Sequence, residues 1–156
     1  MSAGRPIQLP LGIKLRDEAT FASYYPGPNA GVLAATQAFA EPQSSVEECC
    51  LYLWGSEGTG RTHLLQAACH ALADVGGLAM YLPLDELADE GPLLLEGMES
   101  VDLLCLDKLE AVAGRPDWEE ALFHLYNRLR EQGGRLLVAA VAAPRALGLQ
   151  LPDLAS

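Results

Sequence analysis

Positive charge is scarce in this chain of 156 residues, where ten Lys and Arg stand against 21 Asp and Glu for a net charge of −11. Gripping nucleic acid takes phosphate-neutralising Lys and Arg, so the balance argues against direct DNA or RNA binding. The deficit is uneven. Residues 1–16 hold Arg5, Lys14 and Arg16 and no acid, which leaves 7 basic and 21 acidic residues, or −14, in the other 140. A DNA partner would have to be reached through another protein. Long apolar runs are also lacking. None approaches the roughly 20 residues of a membrane span, and no secretory apolar segment follows the N-terminus, so a cytoplasmic protein is expected. Cysteine is sparse: Cys49, Cys50, Cys69 and Cys105 show no C-x-x-C spacing and three of them sit in or beside apolar elements, which predicts reduced, buried thiols. His63, His70 and His124 have no metal-ligand spacing, and no Ser-His-Asp or Cys-His arrangement can be argued. His63 is expected to pack or to support its neighbours.

What is present is organised around residues 51–65, L-Y-L-W-G-S-E-G-T-G-R-T-H-L-L. An apolar run from Cys50 to Trp54 predicts a buried strand. Gly55, Ser56, Glu57, Gly58, Thr59, Gly60, Arg61 and Thr62 follow it, and a helical pattern comes next. This is a phosphate-binding loop in its proper setting, a strand feeding a Gly-rich turn that opens a helix. Glycines let successive N–H groups converge on phosphate oxygens, and the helix N-terminus adds partial positive charge. The usual lysine is replaced by Arg61, whose planar fork is no equivalent of an ammonium.

The rest of the chain reads as one domain, with half its residues hydrophobic. Residues 1–16 carry Gly4, Pro6, Pro10 and Gly12 and no helical period, so they predict an extended arm. On pattern alone this arm is either a disordered terminus or a short linear motif presenting Gln8, Leu9, Leu11 and Ile13. Residues 17–156 form the core. A helix is predicted over 29–40 and a polar loop over 42–48. The loop helix should run from Arg61 to Ala73 and bury Leu64, Leu65, Ala68 and Leu72. Leu78 to Leu82 predicts a second strand closed by Pro83, and 84–99 one or two short helices broken at Gly91-Pro92. Val101 to Asp107 predicts a third strand. Asp117 is the expected cap of a helix from Trp118 to Glu131, with Trp118, Ala121, Leu122, Leu125 and Leu129 on one face. Arg135 to Ala140 predicts a fourth strand, and Pro144 opens a Leu-rich tail. Fully apolar strands alternating with helices imply an α/β fold, a three-layer α/β/α parallel sheet of the P-loop NTPase kind.

A carboxylate closing a buried strand is where such domains hold magnesium, so Asp107 and the Thr62 hydroxyl are the expected Mg²⁺ ligands. Hydrolysis has less support. Many such ATPases place a second acid directly after this Asp to orient water, but here Lys108 follows, and Glu110 lies off the strand end. The fourth strand runs out as Ala139-Ala140-Val141-Ala142-Ala143, with no polar side chain to face a γ-phosphate. A nucleotide binder with little turnover is expected.

G-S-E-G-T-G-R-T-H-L-L-Q-A-A resembles the loop and helix of bacterial DnaA-type AAA+ proteins, in which T-H-L-L is a recurrent sequel. The opening Q-L-P-L, A-T-F-A-S-Y-Y-P-G, L-Y-L-W-G, Y-L-P-L, W-E-E-A-L-F-H-L-Y-N-R-L and the closing L-P-D-L-A-S resemble the Hda family within them, through nearly the whole chain. That resemblance implies a regulator of replication initiation that promotes hydrolysis of ATP bound to DnaA. Its implied cofactors are ADP or ATP, with Mg²⁺ possible. Its implied partners are DnaA, the sliding clamp (the β subunit of DNA polymerase III), DNA only through the clamp, and a second copy of itself as an open possibility. Gln8, Leu9, Leu11 and Ile13 would be the clamp-binding residues. It also implies the sheet order 5-1-4-3-2, with the chain stopping at Ser156 before an arginine finger, a fifth strand and a helical lid. Two other readings remain open: a self-contained small P-loop ATPase or kinase, and a clamp-binding scaffold that holds no nucleotide.

Overall fold

Four apolar runs become four parallel strands: β1 (Cys50–Trp54), β2 (Ala79–Pro83), β3 (Leu103–Asp107) and β4 (Arg135–Ala140). Their order is β1-β4-β3-β2, the order expected for strands one to four. The computed structural model describes residues 19–22, 33–34, 36–37, 40, 50–54 and 60–142. The arm residues Gln8, Leu9, Leu11 and Ile13, loop residues 55–59, Cys49 and the tail from 143 onward lie outside the described residues. Of the helix expected over 29–40, residues 33, 34, 36 and 37 are helical, and the Ala40 N–H donates to the Thr36 carbonyl at 3.1 Å.

Parallel strands need crossover connections, and the helices supply them. Helix α1 (Arg61–Asp74) joins β1 to β2, a single-turn α2 (Leu84–Leu87) follows β2, and α3 (Pro116–Glu131) joins β3 to β4. Side chains alternate across a strand with period two, so each strand feeds two cores. On one face Leu53, Tyr81, Leu103, Cys105, Leu137 and Ala139 meet Leu64, Leu65, Ala68, Cys69 and Leu72 of α1. On the other, Met80, Leu82, Leu104, Leu106, Leu136 and Val138 meet Trp118, Leu122, Leu125 and Leu129 of α3. This is the three-layer α/β/α arrangement. Each fully buried Leu contributes on the order of 1.5–3 kcal/mol relative to exposure. Trp54 closes β1 exposed, whereas Trp118 is buried.

Helices α1 and α3 stop by the same device. Gly76 and Gly133 take positive φ (89° and 81°), which lets the next residue turn back: Gly77 N–H donates to Leu72 O, and Gly134 N–H to Leu129 O, each at 2.9 Å.

Five boundaries differ from expectation; two are shifts of one residue, α1 running on to Asp74 and β2 starting at Ala79 rather than Leu78. Helix α3 begins at Pro116, not Trp118, because proline's fixed φ and missing N–H suit the first helical position. Asp117 is therefore inside the helix and bonds the N–H of Trp118 at 2.9 Å; Glu119 reaches back to the Gly114 N–H at 2.6 Å. Strand β3 starts at Leu103, since Val101 and Asp102 bend while the Asp102 carboxylate and N–H are both engaged by Leu78. Pro83 is the last residue of β2, opposite Asp107, rather than its terminator. Residues 84–99 form α2 and short 3₁₀ turns interrupted at Gly91.

Candidate functional site

Gly60 has left-handed backbone (φ 82°) and launches α1, whose first turn contains no acidic residue. That leaves the N-terminus of a 14-residue helix facing the carboxyl ends of the strands. Arg61 and Thr62 are the first two helical residues. The Thr62 hydroxyl donates to Asp107 Oδ2 at 2.7 Å, so residues 45 apart in sequence meet where β3 ends. Asp107 is 2% exposed. Arg61, Thr62, Asp107, Lys108, Glu110, Ala140 and Val141 line one small recess of about 30 Å³. It opens at the carboxyl edge of a parallel sheet, where α/β folds place ligands.

Lys108 turns the chain back. It has φ 58° and ψ 52°, a left-handed conformation unusual for a residue with a Cβ, and the 3₁₀ turn Leu109–Ala111 follows. Its ammonium, half-exposed, pairs with Asp85 at 3.4 Å. The turn brings Glu110 to the end of β4, where Glu110 Oε1 accepts the Val141 N–H at 3.1 Å. Glu110 does lie off the end of β3, as expected, yet its carboxylate lines the same recess. The end of β4 does lack a polar side chain of its own, and the carboxylate beside it comes from the loop after β3.

Tyr81 was not foreseen at the site. Its phenol donates to the same Asp107 Oδ2, also at 2.7 Å. Burial first, then the negative charge of Asp107, push the phenol well above its usual pKa, so it stays a donor. A side-chain hydrogen bond from Gln66 joins the same group. The signals were present: a tyrosine inside an otherwise apolar buried strand needs a partner for its hydroxyl, and Gln66 is polar on the buried face of α1.

Most other residues behave as the sequence suggested. A ring N–H of His63 donates to the Thr20 carbonyl at 2.7 Å, a supporting role. Cys69 and Cys105 are buried thiols that touch at 3.6 Å in the core, and burial pushes the Cys105 thiol up; Cys50, expected buried, is only partly so, and none of the three is in a disulfide. Among the described residues no group of three or more His, Cys, Asp or Glu could hold a metal ion. Thr62 and Asp107 supply two hard oxygens side by side. That set suits Mg²⁺, which keeps water and substrate phosphates in its remaining positions, and it does not suit a metal needing a full protein cage. No described helix is long and apolar enough to cross a membrane.

Strand order, the helix after β1 and a carboxylate closing β3 define the P-loop fold of AAA+ proteins. Solved structures share it. AMPPCP-bound DnaA from Aquifex aeolicus superposes with a TM-score of 0.77 at 26% identity, over 90% of this chain and 47% of that one. Domain III of the Thermotoga maritima replication initiation protein DnaA gives 0.76 at 22%, over 92% and 64%. The DnaC helicase loader gives 0.63 at 20%, over 88% and 82%, a likeness of fold. The chain spans about half the length of the Aquifex DnaA chain that it matches. No protein-family model matches it.

Proposed function

We propose that the chain is a nucleotide-binding module of a replication-initiation regulator of the Hda kind, holding ADP or ATP with Mg²⁺ and turning it over slowly if at all. The observation that carries this is the 2.7 Å bond from Thr62 to Asp107 at the mouth of α1. The hydroxyl spends its proton on the carboxylate and keeps its oxygen lone pairs for a cation, while the α1 N-terminus, residues 55–60 and Arg61 serve the phosphates. When bound, Mg²⁺ would neutralise charge on the phosphate oxygens. Likeness to a DnaA solved with AMPPCP supports an adenine nucleotide. Lys108, turned away to Asp85, supports a low rate, since it offers no base beside Asp107.

In this reading the arm, through Gln8, Leu9, Leu11 and Ile13, docks on the sliding clamp, and the clamp supplies the contact with DNA that an acidic body cannot make. Its target is DnaA-bound ATP. Titration calorimetry with ADP and ATP in Mg²⁺, on wild type, Arg61→Ala and Thr62→Ala, tests the pocket. Binding by wild type and its loss of about tenfold or more in Thr62→Ala are expected. Wild type that binds nothing at millimolar nucleotide leaves the clamp-binding scaffold standing instead. Clamp pull-down with Gln8→Ala/Leu9→Ala tests the arm, and undiminished capture would reject it.

The position of Glu110 favours one second reading, a slow ATPase in its own right. Single-turnover hydrolysis compared between wild type and Glu110→Gln separates the two: a fall of about 10²-fold or more would make Glu110 the residue that handles water.

A further inference from the structure

Thr62 and Asp107 explain how a cation could be held, but not what stands behind the carboxylate. Tyr81 faces Cys105 across the β2–β3 pair, and Asp107 lies two residues beyond Cys105 on the same, α1-covered face of the sheet. The phenol therefore reaches forward along the strand to Asp107 Oδ2, the oxygen that already accepts Thr62. A carboxylate oxygen has two in-plane lone pairs, and two hydroxyls use both. Gln66, 6% exposed and one helical turn after Thr62, hydrogen-bonds the Tyr81 oxygen. Since the phenol proton goes to Asp107, the Gln66 amide is the donor. Helix α1 thus meets Asp107 twice, directly through Thr62 and around through Gln66 and Tyr81.

We propose that Tyr81 is a positioning residue for magnesium–nucleotide binding, whose hydroxyl saturates Asp107 Oδ2 together with Thr62 and so commits the other carboxylate oxygen to the cation and its water. This rests on the nucleotide reading above. The carboxylate torsion is intrinsically broad, so one hydroxyl alone leaves it free to swing, and two donors from different elements fix it. A phenylalanine would fill the same space in the core without needing a partner; the tyrosine is explained by what its oxygen does.

Calorimetry with ADP in Mg²⁺ and in EDTA, on wild type, Tyr81→Phe, Gln66→Met and Tyr52→Phe, provides the test. The affinity gained on adding Mg²⁺ should shrink about tenfold in Tyr81→Phe, the scale of losing an outer hydrogen bond to a metal ligand. Affinity in EDTA should stay within about twofold of wild type, because the phosphate-binding N–H groups are untouched. Gln66→Met leaves the phenol in place but unanchored, should lose a smaller part of the gain, and keeps the test open if Tyr81→Phe misfolds. Tyr52→Phe removes another phenol bond, to the Ala142 carbonyl at 2.9 Å, and should keep the full gain. The proposal is overturned if Tyr81→Phe retains the wild-type gain, or if Tyr52→Phe loses as much. A wild type that binds nucleotide in neither buffer would instead reject the nucleotide reading, and this assignment with it.

Discussion

Lys108 carries the least comfortable backbone among the described non-glycine residues, with φ 58°. A left-handed residue with a Cβ costs roughly 1–2 kcal/mol, and the half-exposed pair with Asp85 returns about 1 kcal/mol at most. Lys108→Gly should therefore raise stability by about 1 kcal/mol in urea unfolding, and a loss would show that the pair matters more than the strain. What the strain secures is the turn that delivers Glu110 to Val141. Glu110→Ala strands a part-buried N–H and should cost about 1–3 kcal/mol, while Glu110→Gln, still an acceptor, should keep most of it. Neither Lys108 nor Glu110 announces this in sequence. A reversal through left-handed backbone at a lysine has no compositional signature, so Glu110 reads as displaced until the turn is seen.

At the scale of elements, the strands and long helices were legible because their apolar residues repeat at periods two and 3.6 and glycine pairs stop the helices. Boundaries slipped where one residue carries two meanings. Asp117 reads as a cap, yet Pro116 suits the first helical turn better; Val101 extends an apolar run, yet Asp102 is tied to Leu78. Within the site, Thr62 and Asp107 were readable from motif and spacing, whereas the Tyr81 contact depends on register between β2 and β3, which periodicity leaves open. The helix stops can be ranked. A Cβ at Gly134 would sit 2.8 Å from the Val101 carbonyl, which is backbone, while at Gly77 it would meet the side chain of Leu72. Gly134→Ala should destabilise by about 1–3 kcal/mol, and by more than Gly77→Ala, in the same denaturant series.

For the whole molecule, acid excess and buried acids of high pKa set the response to solution conditions. The net charge of −11 makes self-repulsion a cost to folding, so moderate salt should raise the melting temperature. The phenols of Tyr52 and Tyr81 and the thiol of Cys105 are all held above their ordinary values, chiefly by burial. A raised folded pKa stabilises fully below the unfolded value and is lost as pH climbs. Stability should thus be level around neutrality, begin to fall near pH 8.5 with the thiol, and fall faster above about pH 10 with the phenols. Denaturant melts from pH 7 to 11 check this, and a flat profile would contradict it. The two tryptophans supply the optical means. Trp118 is 1% exposed on the buried face of α3, whereas Trp54 is 60% exposed and stands one residue before Gly55, where the Gly-rich loop begins. Acrylamide should quench the red-shifted emission of the second and spare the blue of the first. If the loop holds nucleotide as proposed, one cuvette would report its occupancy and global integrity as separate colours, without a label.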